Sequence, residues 1–432
     1  MRRTVLAVGL LLAALVNTVE AQLVVEITEG MKRRPVAVVP FAWEGNTPEM
    51  PTDVAEVIAS DLERSGRFRT IPEADMLQKP TSGAEMDFDD WAILDVEAVV
   101  VGRVRQTAEN AFMVQFQLFD VYGRKQLVGY RMPASRGTMR RAAHRLADMI
   151  YEELTGIAGV FDTRVTYVTA EERRDGKLYS LIVADADGYN ENKIMESPDP
   201  IMSPAWSPDS RRIAYVSFED NRSSIFVQTL RTGNRVRVSN RPGVNGAPAF
   251  SPDGRKLVVT LSDADGNLDI YTLDIATREA RRITTHRAID TEGSWSPDGR
   301  YIYFTSDRSG GPQIYRVSAN GGSAERVTFE GSYNARPRVS PDGKKLAMVH
   351  LQNGNYRIAV MDLDRRDVLV LSAGRQDESP SFAPNSDTLI YATRTGSNGV
   401  LESVTADGLI RQRLKSGDGD VREPVWSPFQ RF

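Results

Sequence analysis

The sequence predicts an α/β N-terminal domain followed by an all-β six-bladed β-propeller. The main observation is a short signature, an apolar residue followed by Ser, Pro and Asp, which recurs with small departures six times in the last three-fifths of the chain. Its prolines stand 43 to 45 residues apart, a period typical of four-stranded propeller blades. A second observation is that mixed helix and strand patterns precede the first copy. The copies begin at Trp206, Phe250, Trp295, Val339, Phe382 and Trp426.

Residues 1–21 have the pattern of a cleaved signal peptide. Arg2 and Arg3 precede an apolar run from Val5 to Val16, and small residues precede the predicted cleavage site after Ala21. This run is too short to span a bilayer, as is every later one. We therefore expect export into the periplasm by the general secretory route, with no membrane-spanning segment in the mature chain. The sequence has no cysteine, so the fold must be stable without disulfides.

Residues 35–160 carry the patterns of a small α/β domain, and residues 22–34 are expected to be an extended segment before it. An apolar run from Pro35 to Phe41 predicts a buried strand. Asp53 opens an amphipathic pattern that Gly66 ends, which predicts a helix. The other predicted elements are a strand at Ala98–Val101, a hairpin at Ala111–Phe119 and Gln126–Met132, and an amphipathic helix at Thr138–Leu154.

Residues 161–432 are expected to form the propeller. In each signature the proline presets φ for a type I turn, the Asp side chain can bond the backbone two residues on, and a glycine closes the turn. Each signature should therefore be a hairpin between the first and second strands of a blade. The apolar residue that opens the signature is expected to pack between neighbouring blades.

The ring is expected to close through the sixth signature. The chain ends at Phe432, so no strands follow this copy, whereas the strand patterns at Thr163–Thr169 and Leu178–Asp185 have no signature of their own. Pairing the C-terminal strand Val421–Ser427 with them would complete the sixth blade and remove a free sheet edge.

Few residues suggest catalysis. The chain lacks the Gly-x-Ser-x-Gly string of hydrolases, and its three histidines are scattered without metal-ligand spacing. The acidic loop Asp263–Asp269 has its glycine too early for an EF-hand. We therefore expect no catalytic, cofactor-binding or metal site. A formal net charge of -4 gives no electrostatic footprint for nucleic acid.

One set of positions is expected to be functional. The residues just before each signature enter the innermost strand of a blade, so they gather at the mouth of the central channel, and they differ between blades where the framework repeats. Their mixed charges favour a polar protein segment over an apolar small molecule. The six pairs are Met202 and Ser203, Gly246 and Ala247, Thr291 and Glu292, Ala335 and Arg336, Glu378 and Ser379, and Arg422 and Glu423.

The chain resembles the TolB family of the Tol-Pal system over nearly its whole length. The resemblance rests on strings in both parts of the chain and on the chain end right after the sixth signature. The strings are VAVVPF at Val36–Phe41, AVVVG at Ala98–Gly102, LTGI at Leu154–Ile157, DGYN at Asp187–Asn190, PIMSPAWSP at Pro200–Pro208, NGAPAF at Asn245–Phe250 and WSP at Trp426–Pro428.

The resemblance implies a non-enzymatic periplasmic scaffold that helps to keep the outer membrane intact and to draw it inward during cell division. It implies that the channel mouth binds the peptidoglycan-associated lipoprotein Pal. A monomer is expected, and other outer-membrane proteins remain open as partners. The chain departs from the family at Val244, where relatives have histidine. Matching the family's loops places Pal contacts at Asn245, Gly246, Ala247, Thr291 and Glu292.

The resemblance also implies that the mature N-terminus binds the inner-membrane protein TolA. The pattern of Leu23 to Ile27 alternates enough to add as a strand to a partner's sheet edge, but it could equally pack on its own domain. If it is docked in one state and free in the other, binding of Pal and binding of TolA would be coupled. The implied TolA-binding residues are Gln22, Leu23, Val24, Val25, Glu26 and Ile27.

Two other functions stay open from the residues alone. A secreted propeller hydrolase or lyase could use channel carboxylates such as Glu292 and Glu423 as an acid/base pair. A glycan binder would need aromatic residues in the channel, and the predicted mouth positions contain none.

Overall fold

The computed structural model of the protein describes residues 25–27, 32–174, 176–396, 398–414 and 419–430, with the backbone alone for residues 25–27. The predicted signal peptide and three of the predicted TolA-binding residues, Gln22, Leu23 and Val24, lie outside these residues. The fold class is the one predicted: an α/β part followed by six sheets arranged as a propeller.

The N-terminal part is a sheet with helices on both faces. Its strand order is β4-β2-β5-β6-β7, and β3 also pairs with β5. The pairs of β2 with β4 and with β5 are parallel, and the long pairs of β5 with β6 and β6 with β7 are antiparallel. The elements are β1 (Val25–Ile27), β2 (Arg34–Val38), β3 (Ala42–Glu44), α1 (Val54–Arg64), β4 (Phe68–Thr70), α2 (Phe88–Ile93), β5 (Ala98–Ala108), β6 (Ala111–Asp120), β7 (Lys125–Ser135) and α3 (Met139–Thr155), with 3₁₀ turns at Glu73–Asp75, Gly83–Glu85 and Arg136–Thr138.

Local signals set the ends of the two long helices. The Asp53 side chain caps α1 by accepting a hydrogen bond from Glu56 N (3.0 Å). Gly156 ends α3 with a left-handed φ of 74°, where a glycine avoids the Cβ clash. Both helices bury their apolar stripes against one face of the sheet, and Trp91 of α2 is buried on the other face. The sheet is therefore covered on both faces, as parallel pairs require.

The propeller has four strands in most blades, ordered from the channel outward. We number the blades by their signatures, so blade 1 carries Trp206 and blade 6 carries Trp426. The strands are β8 (Arg164–Arg173), β9 (Gly176–Asp185) and β10 (Asn192–Ser197) of blade 6; β11 (Ile201–Trp206), β12 (Arg212–Ser217), β13 (Ser224–Thr229) and β14 (Arg235–Ser239) of blade 1; β15 (Asn245–Phe250), β16 (Lys256–Ser262), β17 (Leu268–Asp274) and β18 (Ala280–Arg282) of blade 2; β19 (Asp290–Trp295), β20 (Tyr301–Ser306), β21 (Gln313–Ser318) and β22 (Glu325–Arg326) of blade 3; β23 (Asn334–Val339), β24 (Lys345–Gln352), β25 (Asn355–Asp362) and β26 (Val368–Val370) of blade 4; β27 (Glu378–Phe382), β28 (Thr388–Thr395), β29 (Asn398–Thr405) and β30 (Ile410–Arg413) of blade 5; and β31 (Asp420–Trp426) of blade 6.

Blade 6 joins the two ends of the propeller sequence. Strand β31 pairs antiparallel with β8, with Trp426 opposite Val165. Beyond the strand, Ser427 N donates to Arg164 O (2.8 Å), and Trp426 Nε1 donates to Thr163 Oγ1 (2.8 Å). The innermost strand of this blade therefore comes from the C-terminus and its other three strands precede blade 1.

The signature turns repeat one hydrogen-bond pattern. In blade 2, Ser251 Oγ donates to Asp253 Oδ1 (2.6 Å), Arg255 N donates to the same carboxylate oxygen (3.0 Å), and Lys256 N donates to Ser251 Oγ (2.9 Å). The same bonds recur in blades 1, 3 and 4. The pattern explains why the signature needs both Ser and Asp. The Ser hydroxyl bonds to the Asp carboxylate, and both groups accept hydrogen bonds from backbone N–H groups of the turn.

The apolar residue that opens each signature packs between blades. Phe250 of blade 2, for example, lies in one buried cluster with Val216 of blade 1 and Leu257 of its own blade. Trp295 packs in the same way between blades 2 and 3. These side chains hold neighbouring blades together through apolar burial, which suits a chain without disulfides.

The α/β part packs on the signature-turn end of blades 5 and 6, the end opposite the channel mouth. Arg67 forms an ion pair with Asp387 (3.1 Å), and Asn385 Nδ2 donates to Ala158 O (3.1 Å). Arg64 donates to Ala186 O (2.9 Å), in the turn that follows β9. The described residues of the α/β part, from residue 32 onward, therefore leave the mouth clear.

Strand β1 lies on the propeller of its own chain. It pairs antiparallel with β30 and becomes a fifth, outermost strand of blade 5. Val25 is opposite Gln412 and Ile27 is opposite Ile410. The sequence left open whether this segment adds to a partner's sheet or packs on its own domain; its described residues instead pair with the propeller.

Candidate functional site

Each innermost strand bends at one bulge near the channel mouth. The ladder between the first and second strands shifts register at the same place in all six blades. The residue at the bulge has a left-handed backbone in every blade although none is glycine, and such strain clusters at functional sites. These residues are Ser203 (φ 51°), Ala247 (φ 46°), Glu292 (φ 57°), Arg336 (φ 55°), Ser379 (φ 55°) and Glu423 (φ 51°).

We call these six residues the bulge ring. Each is the second member of a pair that the sequence predicts for the mouth. The bend turns their side chains out of the strand ladder, so that residues from different blades can reach one another.

Arg336 of blade 4 connects the bulge ring. Its Nε donates to Glu292 Oε1 of blade 3 (2.8 Å), its NH1 donates to Ser379 Oγ of blade 5, and its NH2 lies 3.7 Å from Glu423 Oε1 of blade 6. The Glu423 carboxylate in turn accepts a hydrogen bond from Ser203 N of blade 1. The guanidinium group therefore links four blades directly and a fifth through Glu423, and Ala247 of blade 2 is the member of the ring without a polar side chain.

The environment of Arg336 favours its charged form. Burial alone would lower the pKa of this guanidinium, but the charges of Glu423, Glu292 and Glu378 outweigh burial and raise it. The two carboxylates that could act as an acid/base pair, Glu292 and Glu423, are thus both held by one arginine. This arrangement suits a fixed polar surface better than general acid/base catalysis, which needs a group free to exchange its proton.

Glu378 and Arg422 lie at the mouth but outside this network. Arg422 forms its ion pair with Asp420 of its own strand. The Glu378 carboxylate accepts no hydrogen bond from the described residues, and its pKa is raised by burial, which outweighs the nearby charge of Arg336. Met202 is exposed beside the ring. The sequence predicts these residues at the mouth but does not assign their partners.

Asn245 differs from the other residues matched to Pal contacts because its side chain is fully buried. Its Oδ1 accepts hydrogen bonds from Ser239 Oγ (2.6 Å) and Arg241 N (3.0 Å), and its Nδ2 donates to Arg241 O (2.7 Å). It therefore ties the loop before β15 and presents no side-chain atom to a partner. The equivalent buried residues Asn334 and Asp377 hold the loops before their strands in the same way, whereas the equivalent Asp290 of blade 3 is paired with Arg308.

The remaining matched positions face the mouth. Gly246, Ala247 and Thr291 are half-buried. Thr291 Oγ1 lies 3.2 Å from Thr260 Oγ1, which also accepts from Glu292 N (3.2 Å). This small patch on blades 2 and 3 has little side-chain relief, since two of its members have no side chain beyond Cβ.

Exposed apolar side chains lie in the loops at the mouth end of blades 2, 3 and 4. Phe329 of the loop before β23 is 71% exposed, and Val244 and Ile289 of the equivalent loops in blades 2 and 3 are also exposed. Exposed apolar groups close together on one surface are typical of protein contact sites. Sequence reasoning missed Phe329 and Ile289, because a single exposed apolar residue in a loop carries no pattern.

A cavity of 410 Å³ opens beside the ring between blades 4, 5 and 6. Two tyrosines, Tyr333 and Tyr356, form an edge-to-face pair on its wall, with ring centroids 5.2 Å apart. The mouth positions predicted from the sequence include no aromatic residue. The two tyrosines were missed because they lie one loop away from the innermost strands. Glu292 and Arg336 contribute to both the cavity wall and the bulge ring.

A second polar cluster lies where the α/β part meets blade 6. His144 Nδ1 is 2.6 Å from Asp61 Oδ2 and its Nε2 is 3.4 Å from Asp187 Oδ2. These groups could surround a metal ion by distance alone. However, Arg64 binds Asp61 and Arg140 binds Asp187, so the carboxylates already have cationic partners. We interpret the cluster as an ion-pair network between the two parts of the chain.

Comparison with known proteins assigns the chain to a family. Two family profiles match it, one described as "TolB beta propeller domain" over residues 151–430 and one as "TolB amino-terminal domain" over residues 23–127. The chain belongs to the TolB family. The assignment agrees with the resemblance that the sequence strings indicate.

Relatives of the TolB family match the chain over most of its length. The chain is 48% identical over 398 residues to the "Tol-Pal system protein TolB" of Xanthomonas oryzae pv. oryzae, covering 92% of this chain and 90% of the relative. Identity and coverage are the same for the protein of that name from Xanthomonas campestris pv. campestris. The crystal structure of TolB from Acinetobacter baumannii is 40% identical, with a TM-score of 0.85, over 94% of this chain and all of that one.

Membership of the TolB family makes the protein a component of the Tol-Pal system. Among the residues that the structure describes, no helix is long and apolar enough to cross a membrane.

Proposed function

We propose that this protein is a non-enzymatic periplasmic scaffold of the Tol-Pal system. In this role it binds Pal at the channel mouth and TolA through the mature N-terminus, and so helps to maintain the outer membrane and its invagination during division. The observation that carries the proposal is the mouth itself: a rigid polar ring at the free end of the propeller, framed by exposed apolar side chains.

The mouth has the composition of a protein contact surface. An apolar rim with a fixed polar centre can bury Phe329 and Ile289 while the bulge ring supplies hydrogen-bond partners. The predicted contacts Gly246, Ala247 and Thr291 form a low patch that lets a partner approach the backbone. We assign Asn245 an indirect role, because its buried side chain shapes the loop that carries this patch.

Charge also favours a protein partner over a substrate. Glu292 and Glu423 are paired with Arg336 and present a fixed pattern of charges at the mouth. Fixed charge patterns give specificity and register to protein contacts.

Binding of TolA by the N-terminal segment requires that this segment can leave the sheet of its own chain. Strand β1 is attached to the outer edge of blade 5 by a ladder of three residues. Such a short edge strand can leave its ladder and add to a partner's sheet instead. If Pal binding changes how β1 is docked, the affinities for Pal and TolA must shift by the same factor.

Calorimetric titration of the mature protein with the soluble domain of Pal tests the proposal. We expect binding by the parent and its loss in Ala247→Arg and Thr291→Arg, with unchanged melting temperatures. The bulge position accepts a large side chain, since Arg336 and Glu423 occupy it in other blades. Ala276→Arg is the matched control, because Ala276 is exposed on the same blade at the opposite end.

No binding of Pal by the parent would contradict the proposed Pal contact. A separate titration with TolA, in the presence and absence of saturating Pal, tests the coupling. An identical affinity for TolA in both conditions would show that the two sites act independently.

A further inference from the structure

The 410 Å³ cavity beside the bulge ring lies apart from the patch that we assign to Pal. Apart from Glu292 of blade 3, its walls come from blades 4, 5 and 6, whereas Gly246, Ala247 and Thr291 lie on blades 2 and 3. Both open at the same end of the propeller and share Glu292. A partner that covers the mouth would therefore also cover the cavity.

The cavity has one carboxylate in excess. Four acidic and three basic side chains line it: Glu292, Asp377, Glu378, Asp420, Arg336, Arg394 and Arg422. An excess negative charge in a partly enclosed site favours a cationic occupant.

Most of these charges already have partners. Asp377 accepts hydrogen bonds from Ser372 Oγ, Gly374 N and Thr393 Oγ1. Asp420 accepts from Gly399 N (2.7 Å) and is paired with Arg422. These two carboxylates are therefore satisfied within the blades and need nothing from a ligand.

Glu378 is the exception among the carboxylates. It is half-buried, and none of the described residues donates a hydrogen bond to it. Arg336, Arg422 and Arg394 attract it through space, but burial outweighs the charge of Arg336 and its oxygens stay open to a donor, which makes it a strong acceptor for an incoming cation. Arg394 also lacks an ion pair among the described residues, but it is exposed, so water solvates its charge at the cavity edge.

The other walls fit the stem of a long basic side chain. Tyr333 and Tyr356 offer ring surface, and cations bind to aromatic faces. Ala335, Val349 and Ala392 supply apolar contacts for methylene groups.

We propose that this cavity receives a lysine or arginine side chain of the protein segment that docks on the channel mouth, with Glu378 as its carboxylate partner. This inference rests on the proposed function, since it names a contact of the same partner. It adds a specificity-determining residue that lies outside the patch on blades 2 and 3.

The test compares two variants that remove the same charge from the same face. Glu378→Gln keeps the shape of the cavity and loses its free carboxylate. Glu330→Gln is the matched control, because Glu330 is exposed on the loop before β23 and does not line the cavity. Each variant is titrated with the soluble domain of Pal. We expect Glu378→Gln to lower the affinity for Pal about tenfold, because it loses a charged hydrogen bond. Glu330→Gln should change it less than about twofold.

A second probe does not depend on Pal. The peptide acetyl-Gly-Gly-Lys-Gly-Gly-amide and its norleucine counterpart can be titrated while the ring resonances of Tyr333 and Tyr356 are followed by NMR. We expect saturable shifts with the lysine peptide in the parent and none in Glu378→Gln. The norleucine peptide should cause none in either protein.

The outcomes separate the two proposals. No binding of Pal by the parent contradicts the proposed function, and the lysine peptide then decides on its own whether the cavity binds a basic side chain. Binding of Pal that is equal in the parent and in Glu378→Gln overturns the inference and leaves the proposed function standing. Equal shifts with the lysine and norleucine peptides also overturn it.

Discussion

At the scale of single residues, Arg336 decides the form of the channel mouth. It links carboxylates from blades 3 and 6 across the channel, and its side chain is 27% exposed, against 22% for Glu292 and 12% for Glu423. The sequence indicated that all three residues face the mouth. It could not indicate that one arginine holds both carboxylates, because blades distant in sequence meet only in the closed ring.

Replacing Arg336 by methionine should destabilise the protein. The change leaves two partly buried carboxylates without a counter-charge, and we expect a loss of about 2 to 3 kcal/mol in the free energy of unfolding. Urea denaturation measures it. Arg365→Met is the control, because the ion pair of Arg365 with Asp362 is exposed and should contribute less than about 1 kcal/mol to the free energy of unfolding. Adding Glu292→Gln to Arg336→Met should restore part of the loss; no recovery would show that packing, not charge, is responsible.

His144 should make stability depend on pH. Burial alone lowers its pKa, but the hydrogen bond to Asp61 and the charges of Asp61 and Asp187 outweigh burial and raise the pKa above its usual value of 6.5. A raised pKa in the folded state gives stability that is complete below pH 6.5 and lost as pH rises through the folded value.

Melting temperatures of the parent and His144→Asn between pH 5.5 and 8.5 test this expectation. The parent should be more stable than the variant at pH 5.5, and the difference should shrink toward pH 8.5. His286→Asn is the control, because His286 is exposed and lies outside the cluster. A difference that grows with pH would mean that His144 is neutral in the folded protein.

At the scale of elements, the innermost strands combine a repeated framework with a variable bulge. Buried polar residues at their mouth ends, such as Asn245 and Asn334, hold the preceding loops, and the left-handed residues two positions later form the bulge ring. The period and the turn signatures predicted the strands. The bulges carry no glycine, so no residue type indicates their left-handed backbone in advance.

Asn245 should affect binding only through the framework. Asn245→Ala removes four hydrogen bonds and leaves Ser239 and Arg241 without their partner, so we expect a loss of about 2 kcal/mol in stability together with weaker Pal binding. Asn245→Asp keeps the acceptor, as Asp290 does in blade 3, and should lose less stability. Melting temperature and Pal affinity should fall together in this series, whereas Ala247→Arg should lower affinity alone. Weaker binding by Asn245→Ala at an unchanged melting temperature would show a direct contact.

At the scale of the whole molecule, one strand closes the ring. Strand β31 contributes the innermost strand of blade 6, and Trp426 packs in the cluster between blades 5 and 6. Removing residues 421–432 should open the ring and cost more than about 4 kcal/mol, an exceptional loss for so short a segment. Thermal unfolding and limited proteolysis measure it. Removing residues 430–432 is the control and should leave the melting temperature unchanged; equal melting of both truncations would show that the ring is stable while open.

The sequence by itself determined the fold class, the number of blades, the turn chemistry and the family. Each of these follows from patterns that can be seen in the sequence itself: a fixed repeat period, Ser and Asp within one turn, and strings of adjacent residues. The two long helices were predictable for the same reason, since their capping residues and apolar stripes lie within a few helical turns of one another.

Only the tertiary structure decided how the mouth is built. It buried Asn245 and joined Arg336 to Glu292 and Glu423. Within the part of the chain that the structure describes, it also left Glu378 without a hydrogen-bond donor, in a cavity that two tyrosines help to line. It also placed β1 on blade 5 of its own chain. These features depend on contacts between residues far apart in sequence, and closing the ring brings them together without leaving a local pattern.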